Sequence, residues 1–514
     1  MNIKLIRLNG DPVENFYQLG KAESQSFAQL ESRVLKIIDG NPLIHLGENI
    51  LSRAKSIWIK KEQTFFDQCV SAYAEGLGIE LSNYLNFLKI FELAAHYGYF
   101  YPELRGLIPG CTSLIQKTSE GITHSRLIDF PLTGIFEQNP RIYYFNFSGH
   151  KPILNYSCEG LAPLFFHALH FSGFSLALHH KPSENYHKDG DSIFKITFES
   201  LFSSSNMQEF RKEIRKRPSF SKWGYYLLNH DGQVLAMDLD GPNFNFESYH
   251  LNESNLLIFT NISLQESKVS DHYLSFCQHR QNWLKEKLQK NKNQNSLDLL
   301  TDVKDQKIRG WTHPTATLST LGAIHLNLSK GFIQVKDGDS ALTSSDRTLE
   351  LQLSDGADFT MVKSSDHSSE FEQAWKRASK AQAAFDSNDL DQAYHELHMA
   401  IALMPHKVWK EIFNFYLFTW DFKLIENKRE LAAVYKKLMQ LQLPDFLKDQ
   451  WYFMRMRFEK KIGLLPTVKL EEISPTLQES FKDELNARSN VFNNWMKSIY
   501  PRLEILDIFS PHHH

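Results

Sequence analysis

The spacing of apolar residues divides the chain into three stretches. Over residues 14–100 apolar side chains recur every three or four positions, as in ENFYQLGKAESQSFAQLESRVLKII, which predicts helices. Over residues 110–365 the pattern changes to short runs such as RIYYFNF, GQVLAMDL and NLLIFTN, separated by turn residues, which predicts strands. Within this stretch residues 205–216 and 271–290 are predicted as helices, and residues 290–307 as a polar loop. The predicted fold class is α+β.

The remainder of the chain is predicted to be helical, with a weak internal repeat. Small residues and a closing proline stand at positions typical of tetratricopeptide repeats, namely Ala381, Ala393, Ala400 and Pro405. Ala432 and Pro444 repeat the spacing, although the interval between the two prolines is 39 residues and the usual period is about 34. A short helical bundle packed on the core remains open as the alternative, because a solenoid normally needs about three repeats.

The length of 514 residues is sufficient for two or three domains. The changes of pattern predict a helical prefix over residues 1–110, a sheet-containing core over 111–365 and a C-terminal helical, tetratricopeptide-like domain over 366–514.

The charge of the chain is nearly balanced, with 57 basic and 60 acidic side chains and a net charge of −3. This balance argues against a general affinity for nucleic acid or for anionic membranes. The basic run RKEIRKR, residues 211–217, could meet an anionic head group or a coenzyme A phosphate, but a solvated helix face is the simpler interpretation.

The start of the chain, MNIKLIRLNG, lacks the apolar run of a signal peptide, and no later segment is apolar enough for an integral membrane span. We therefore expect a soluble, cytoplasmic protein from the chain as given, or a secreted or periplasmic one if a signal peptide has been removed.

Neither the cysteines nor the histidines have the spacing of a metal site. Cys69, Cys111, Cys158 and Cys277 are far apart and form no CxxC pair, so a disulfide framework is not indicated either. The histidines of the core match no HExxH or paired zinc signature, and they are His167, His170, His179, His180 and His187. No metal or other cofactor is expected.

Cys111 has the chemically suggestive surroundings. It follows Pro-Gly and opens the run CTSLIQ, and Arg126 and Asp129 come 15 and 18 residues later in ITHSRLIDF. The segment KTSEG between the two runs predicts a turn, so the two runs form a hairpin. This hairpin would bring Arg126 and Asp129 beside the start of the first strand.

The segment CTSLIQKTSEGITHSRLIDF resembles the nucleophile hairpin of N-terminal-nucleophile cysteine hydrolases, such as acid ceramidase and N-acylethanolamine acid amidase. The upstream pieces FYQLGKAESQ and YAEGLGIELSNYLNFLKIFELAA are similar to the prefix of the related acyl-coenzyme A:6-aminopenicillanate acyltransferase family. The resemblance extends over residues 14 to about 340 and is most specific at the hairpin. It implies a four-layer αββα sandwich.

The resemblance also implies a precursor that cleaves itself at the Gly110–Cys111 bond. The chemistry is sound, because cleavage frees an α-amine whose ordinary pKa of about 7.7 to 8.0 suits a base for the thiol. Glycine before the bond tolerates strained backbone geometry. Asp129 would orient the new amine, and Arg126 would stabilise the thiolate and contact the substrate carbonyl.

An oxyanion donor is implied at the end of the strand NLLIFTN, where Asn261 is the candidate and Asn229 the fallback. The chain departs from the family pattern at His179 and His180, which replace an asparagine or an Asn-Glu pair and become the candidate substrate contacts. The family's second arginine is not matched in position. Arg280 is the nearest, and no role is assigned to it.

These features predict an amidase or acyltransferase that forms an acyl-enzyme on Cys111. The substrate would be a small acyl-amide or lipid-like molecule, and the phenylalanine-rich segment 161–174 would suit an acyl pocket or simply a core. Ester and thioester substrates stay open. The rival interpretation is a non-catalytic scaffold whose C-terminal helices bind a protein partner.

Overall fold

The computed structural model describes most of the chain. The described residues are 3–39, 64–100, 111–129, 139–181, 183, 186–251, 256–265, 271–290, 296–301, 320–336, 348–353, 359–363, 370–443 and 447–498. They form two β-sheets and fourteen α-helices, which confirms the predicted α+β class. Among these residues no helix has the length and apolarity that a membrane span requires.

The strands fall in the first three quarters of the chain. They are β1 Lys4–Gly10, β2 Thr112–Thr118, β3 Gly121–Asp129, β4 Pro140–Phe147, β5 Ile153–Cys158, β6 His167–His170, β7 Phe174–His180, β8 Trp223–Asn229, β9 Gln233–Asp240, β10 Asn243–His250, β11 Leu256–Phe259, β12 Thr320–Asn327, β13 Phe332–Lys336, β14 Thr348–Leu353 and β15 Phe359–Lys363.

Helices flank the strands and make up the C-terminal part. They are α1 Pro12–Asp39, α2 Phe65–Leu77, α3 Leu81–Phe100, α4 Ile193–Ser203, α5 Met207–Ile214, α6 Asp271–Lys290, α7 Ser296–Leu300, α8 Glu370–Asp386, α9 Leu390–Leu403, α10 Lys407–Leu424, α11 Lys428–Leu438, α12 Lys448–Ile462, α13 Gln478–Asn486 and α14 Ser489–Ser498.

One sheet has eight strands and the other has seven. The eight-stranded sheet has the order β1-β4-β5-β6-β7-β8-β9-β10, with β1 and β4 parallel and the other neighbours antiparallel. The seven-stranded sheet is antiparallel, in the order β11-β2-β3-β12-β13-β14-β15. Both strands of the Cys111 hairpin are thus interior strands of the second sheet.

The two sheets pack face to face between layers of helices. Ile115 on β2 shares a buried cluster with Ala177 and Tyr226 of the eight-stranded sheet. On the outer face of that sheet, the ring of Phe16 in α1 stacks on Phe145, with 5.9 Å between centroids. The outer face of the seven-stranded sheet packs on α6, α7 and the C-terminal helices in another cluster. The order helix, sheet, sheet, helix agrees with the predicted sandwich.

Three elements were not anticipated from the sequence pattern. Strand β1 adds the N-terminus to the eight-stranded sheet, α4 occupies a stretch rich in phenylalanine and β-branched residues, and α7 lies within the predicted polar loop. Nearly every side chain of α4 is buried, so its apolar residues show no amphipathic period. Tertiary burial overrides the local pattern there.

Helices α1 and α2 approach closely through two glycines. A Cβ atom on Gly76 would lie 2.1 Å from the carbonyl oxygen of Tyr17, and one on Gly20 would lie 2.2 Å from that of Tyr73. Both contacts are with backbone atoms, which cannot rotate away. The prefix motifs that contain these glycines therefore form a tight helix crossing.

We expect Gly76→Ala to lower the free energy of unfolding by about 1 to 2 kcal/mol. Alanine improves helix propensity by about 1 kcal/mol, but overpacking against backbone costs about 1 to 3 kcal/mol and must separate the helices. Urea unfolding measures the change. Glu75→Ala is the control, because Glu75 is exposed on the same helix, and it should shift stability by less than about 0.5 kcal/mol. A Gly76→Ala protein as stable as wild type would contradict the crossing.

The C-terminal helices bury the small residues singled out in the sequence. Ala381 on α8 and Ala393 and Ala400 on α9 are fully buried in the cluster that these helices share, and Ala432 on α11 is half-buried. Pro444 lies outside the described residues. A pair of packed helices fits a repeat and a bundle equally, so the tetratricopeptide-like assignment and the division into three domains stay predictions.

Candidate active site

The predicted hairpin is present and places Arg126 opposite the start of β2. Strands β2 and β3 pair antiparallel, with Ser113 opposite Arg126 and Thr118 opposite Gly121. Because side chains alternate along a strand, Cys111 and Arg126 face the space between the sheets, whereas Asp129 belongs to the opposite face of β3. Gly110 lies outside the described residues, so the predicted cleavage site is described only on its Cys111 side.

Cys111 lies directly against the guanidinium of Arg126. Cys111 is 2% exposed, and Nη2 of Arg126 donates a hydrogen bond to its sulfur over 3.3 Å. The same Nη2 donates to the carbonyl of Leu178 on β7, which fixes the guanidinium across the two sheets. The sulfur thus accepts a hydrogen bond from a charged donor.

Arg126 is itself completely buried. Burial lowers the pKa of Arg126, while Cys111 and Asp129 raise it. Its Nε and Nη1 atoms have no hydrogen-bond partner within the part of the chain that the structure describes. These atoms are oriented donors in a water-poor space, which suits binding of a carbonyl or another anionic oxygen.

Asp129 ends β3 and is paired with an arginine from α6. Its Oδ2 atom accepts from Arg280 Nη1 over 3.4 Å. Burial raises the pKa of Asp129 to about 6, and the positive charges of Arg280 and Arg126 oppose that rise. The carboxylate is therefore ionised at neutral pH and can hold an ammonium group.

Arg280 connects several parts of the site, although no role could be assigned to it from the sequence. Besides Asp129 it contacts Thr112 Oγ1 at 3.0 Å and the Oδ1 atom of Asn261 at 3.3 Å, and its Nη2 is 3.5 Å from the sulfur of Cys277. Arg280 is 1% exposed. One arginine in a predicted helix is a weak signal in the sequence. Its connection to Asp129, Thr112 and Asn261 is visible only in the structure.

The amide of Asn261 has a defined orientation. Its Oδ1 atom accepts from Arg280, and its Nδ2 atom donates to the carbonyl of His180 over 2.8 Å. Asn261 follows the end of β11, the strand paired with β2. The nitrogen side of the amide thus faces the end of β7, and Asn261 and Arg126 both contact that strand end.

His179 and His180 point to opposite faces of the eight-stranded sheet. The Nε2 atom of His179 accepts from Ser113 Oγ at 2.8 Å, and its Nδ1–H donates to the carbonyl of Thr260 at 3.3 Å. Burial, with Arg126 nearby, holds the pKa of His179 well below its usual range, so the ring is neutral.

The ring of His180 packs on Trp223 at 4.6 Å between centroids, on the helical side of the sheet. Burial lowers the pKa of His180 to about 3. Of the two histidines predicted as substrate contacts, the structure brings only the side chain of His179 to the site, and His180 contributes its carbonyl group.

Asn229, the fallback oxyanion donor, lies at the other end of the sheet. Along β7 and β8, His180 pairs with Trp223 and Phe174 pairs with Asn229, a separation of roughly 20 Å at about 3.3 Å per residue. The Oδ1 atom of Asn229 accepts from the backbone N–H groups of Asp231 and Gln233. Asn229 is a turn former and is not part of this site.

The basic run and the phenylalanine-rich segment, which the sequence left as candidate binding regions, have surroundings typical of residues that pack the fold. The described residues contain no group of three or more side chains arranged to hold a metal ion. In the basic run, Arg211 and Arg215 lie over the rings of Phe246 and Phe244 at 4.7 and 5.1 Å. Most apolar residues of segment 161–174 are buried in the core cluster, so core packing accounts for that segment.

Comparison with known proteins gives structural likenesses only. No family model matches the sequence, and no curated protein is significantly similar to it. An N-acylethanolamine-hydrolyzing acid amidase ortholog from Caenorhabditis elegans is 13% identical over 43% of this chain and 93% of that chain, with a TM-score of 0.28. A variant of conjugated bile acid hydrolase from Clostridium perfringens is 12% identical over 50% of this chain and 97% of that chain, with a TM-score of 0.30.

Penicillin V acylase from Agrobacterium tumefaciens is 9% identical over 48% of this chain and 92% of that chain, with a TM-score of 0.27. At TM-scores this low, no conclusion about this chain's activity rests on these likenesses. The first of the three is the kind of protein that the sequence resemblance named.

Proposed function

We propose that this protein is a self-processing cysteine amidase or acyltransferase of the N-terminal-nucleophile type, acting on acyl-amides. The observation that carries the proposal is the 3.3 Å contact between Arg126 Nη2 and Cys111 Sγ at the start of an interior strand. Asp129 and Asn261 are joined through Arg280, which also donates to Thr112, the residue after Cys111. The ion pair of Asp129 is with Arg280, whereas Arg126 Nη2 is directed at the sulfur and at the carbonyl of Leu178.

Processing would begin with attack of the Cys111 sulfur on the carbonyl carbon of Gly110. The C–S bond forms, the Gly110–Cys111 C–N bond breaks, and the nitrogen takes up the proton that the thiol gives up, becoming the α-amine. Water then hydrolyses the thioester, leaving a carboxylate on Gly110 and the free thiol. The product carries a nucleophile and a base on one residue.

Turnover would use the same sulfur on an acyl-amide. The α-amine takes the thiol proton, the sulfur adds to the carbonyl carbon, and the carbonyl π electrons move to oxygen. When the oxyanion collapses, the C–N bond breaks and the leaving amine takes the proton from the α-ammonium. Water, or a second amine, then attacks the thioester to release the acid or a new amide.

The polar groups around the sulfur would divide the remaining work. Asp129, ionised at neutral pH, holds the α-ammonium that forms during attack. Arg126 stabilises the thiolate, and its Nε and Nη1 atoms can contact the substrate carbonyl. Asn261 donates an N–H to the oxyanion, with the orientation of its amide set by Arg280.

Replacing Asn261 by alanine should lower kcat by about 10²- to 10³-fold, the usual loss for one oxyanion donor. KM should change little, because the donor acts on charge that develops after binding. Steady-state kinetics on the processed protein measure both constants. Asn229→Ala is the matched control, since that asparagine serves a distant turn, and it should retain wild-type kcat. Equal activity of the two variants would remove Asn261 from the site.

The proposal is tested by intact mass measurement and N-terminal sequencing after incubation at acidic and neutral pH. The expected large fragment begins CTSLI, and the processed protein hydrolyses at least one member of a panel of N-acyl amino acids, N-acylethanolamines, ceramides and conjugated bile acids. Ester and thioester substrates, assayed in parallel, test whether the Cys111 thiolate also cleaves those bonds. An uncut chain that turns over nothing in the panel supports the non-catalytic scaffold.

A further inference from the structure

A buried lysine next to the site is used by none of the steps above. Lys181 directly follows β7 and is 0% exposed. Its Nζ donates to the hydroxyl of Tyr226 at 2.5 Å, to the carbonyl of Thr260 at 3.0 Å and to the carbonyl of Ile262. An ammonium group has three protons, so three acceptors occupy all of them.

The arrangement is not that of a simple ion pair. The nearest carboxylate oxygen, Asp238 Oδ1, is 4.0 Å from Nζ, whereas all three hydrogen bonds go to other groups. Asp238 is held separately, because its Oδ2 accepts from the backbone N–H of Leu264 at 2.6 Å. The negative charge of Asp238 compensates part of the cost of burying the ammonium group. The hydrogen bonds place that ammonium group against the backbone on both sides of Asn261.

The two carbonyls that Lys181 holds flank Asn261 on either side. Thr260 also accepts from His179, and the Asn261 amide donates to His180. Residues 260–262 follow β11 in the other sheet. Hydrogen bonds from His179, Lys181 and Asn261 therefore join this segment to the end of β7.

Gly224 carries no side chain, and this leaves room for the side chain of Lys181. A Cβ atom on Gly224 would lie 2.4 Å from Cε of Lys181 and 3.0 Å from Oδ1 of Asp238. Gly224 is the second residue of β8, paired with His179 and Asp238. An interior glycine of this kind often marks the close approach of another group, here the lysine side chain.

We propose that Lys181 is a positioning residue for the oxyanion donor: its buried ammonium fixes the carbonyls of Thr260 and Ile262 and thereby the orientation of the Asn261 amide. This inference rests on the proposed function. Lys181 touches neither the sulfur nor the reacting carbonyl, so its effect is exerted through residues 260–262.

The test uses Lys181→Met, which keeps the length of the side chain and removes the ammonium. With the best amide substrate of the wild-type protein, kcat should fall by about 10- to 100-fold, less than the loss for removing the donor itself, and KM should stay within about twofold. The aldehyde with the same acyl chain forms a hemithioacetal on Cys111, and its affinity should fall by the same factor as kcat. Alkylation of Cys111 by iodoacetamide, which forms no oxyanion, should keep its rate.

Lys195→Met is the matched control, because Lys195 is a largely buried lysine paired with Asp67 at 2.7 Å on the outer helices. It should leave kcat and aldehyde affinity unchanged. Unchanged kcat and aldehyde affinity in Lys181→Met would overturn the inference, as would equal losses in aldehyde affinity and alkylation rate. Failure of the proposed function is distinct, since it would appear as a wild-type protein without amide turnover.

If Lys181→Met does not fold, Gly224→Ala tests the same point with the charge retained, because the new methyl group displaces the lysine side chain. It should show the same joint loss of kcat and aldehyde affinity. A crystal structure of the wild-type aldehyde adduct needs no variant. It should show Lys181 on both carbonyls and Asn261 Nδ2 on the adduct oxygen, and an adduct oxygen without Asn261 would refute the inference.

Discussion

Cys111→Ala should abolish both self-cleavage and amide turnover, with kcat lowered by at least about 10⁴-fold, the scale of losing a covalent nucleophile. Alanine removes the atom that forms the acyl-enzyme and leaves Arg126 without the sulfur that its Nη2 contacts. The side chain is small and the fold should persist, because cysteine and alanine differ by one buried sulfur.

The measurement combines intact mass with amide turnover for wild type and variant. Cys158→Ala is the matched control: Cys158 is also a buried cysteine, but it lies on β5 in the eight-stranded sheet. It should cleave itself and turn over substrate as wild type does. A Cys111→Ala protein that still hydrolyses amides would refute the nucleophile, whereas loss of cleavage in both variants would indicate a folding defect.

Arg280→Met should have the next largest effect, lowering both stability and kcat. Removing one member of a buried ion pair costs about 3 to 5 kcal/mol, because the remaining charge is left uncompensated. Without Arg280 the pKa of Asp129 should rise further above about 6, since this arginine opposes the effect of burial. Asn261 also loses the donor to its Oδ1, so kcat should fall by about 10²-fold or more.

Arg457→Met is the control that separates a loss of stability from a loss of kcat. Arg457 is a completely buried arginine on α12, bound to Glu484 through two hydrogen bonds, of 2.5 and 3.0 Å. Its replacement should destabilise the protein to a similar extent by urea unfolding and leave kcat unchanged. If Arg280→Met behaved in the same way, with stability lowered and kcat retained, Arg280 would be a structural residue only.

Local sequence was sufficient for the hairpin and the surrounding helices. Cys111, Arg126 and Asp129 lie within 19 residues of one another, so one turn between two strands is enough to predict that Arg126 and Asp129 return to the start of β2. The prefix helices could likewise be predicted, because their apolar period is regular. The α4 helix could not, because burial on all sides removes that period.

The rest of the site depends on contacts between distant parts of the chain. Arg280 and Asp129 are 151 residues apart in sequence, and Lys181 and Thr260 are 79 apart. The same limit explains the fallback choice of Asn229, which has the right amide and follows an apolar run as Asn261 does. Only strand order and register place one beside the cysteine and the other in a remote turn.

The sequence by itself therefore determined the α+β class and the hairpin that places Arg126 opposite the start of β2, since each follows from the conformations of neighbouring residues. Tertiary structure alone decided that His179 faces the site while His180 faces the helices. It also decided that Arg280 and Lys181 converge on either side of Asn261. The physical reason is that buried charges must find partners where the folded layers bring oxygen atoms together, and that meeting depends on packing of the whole sandwich.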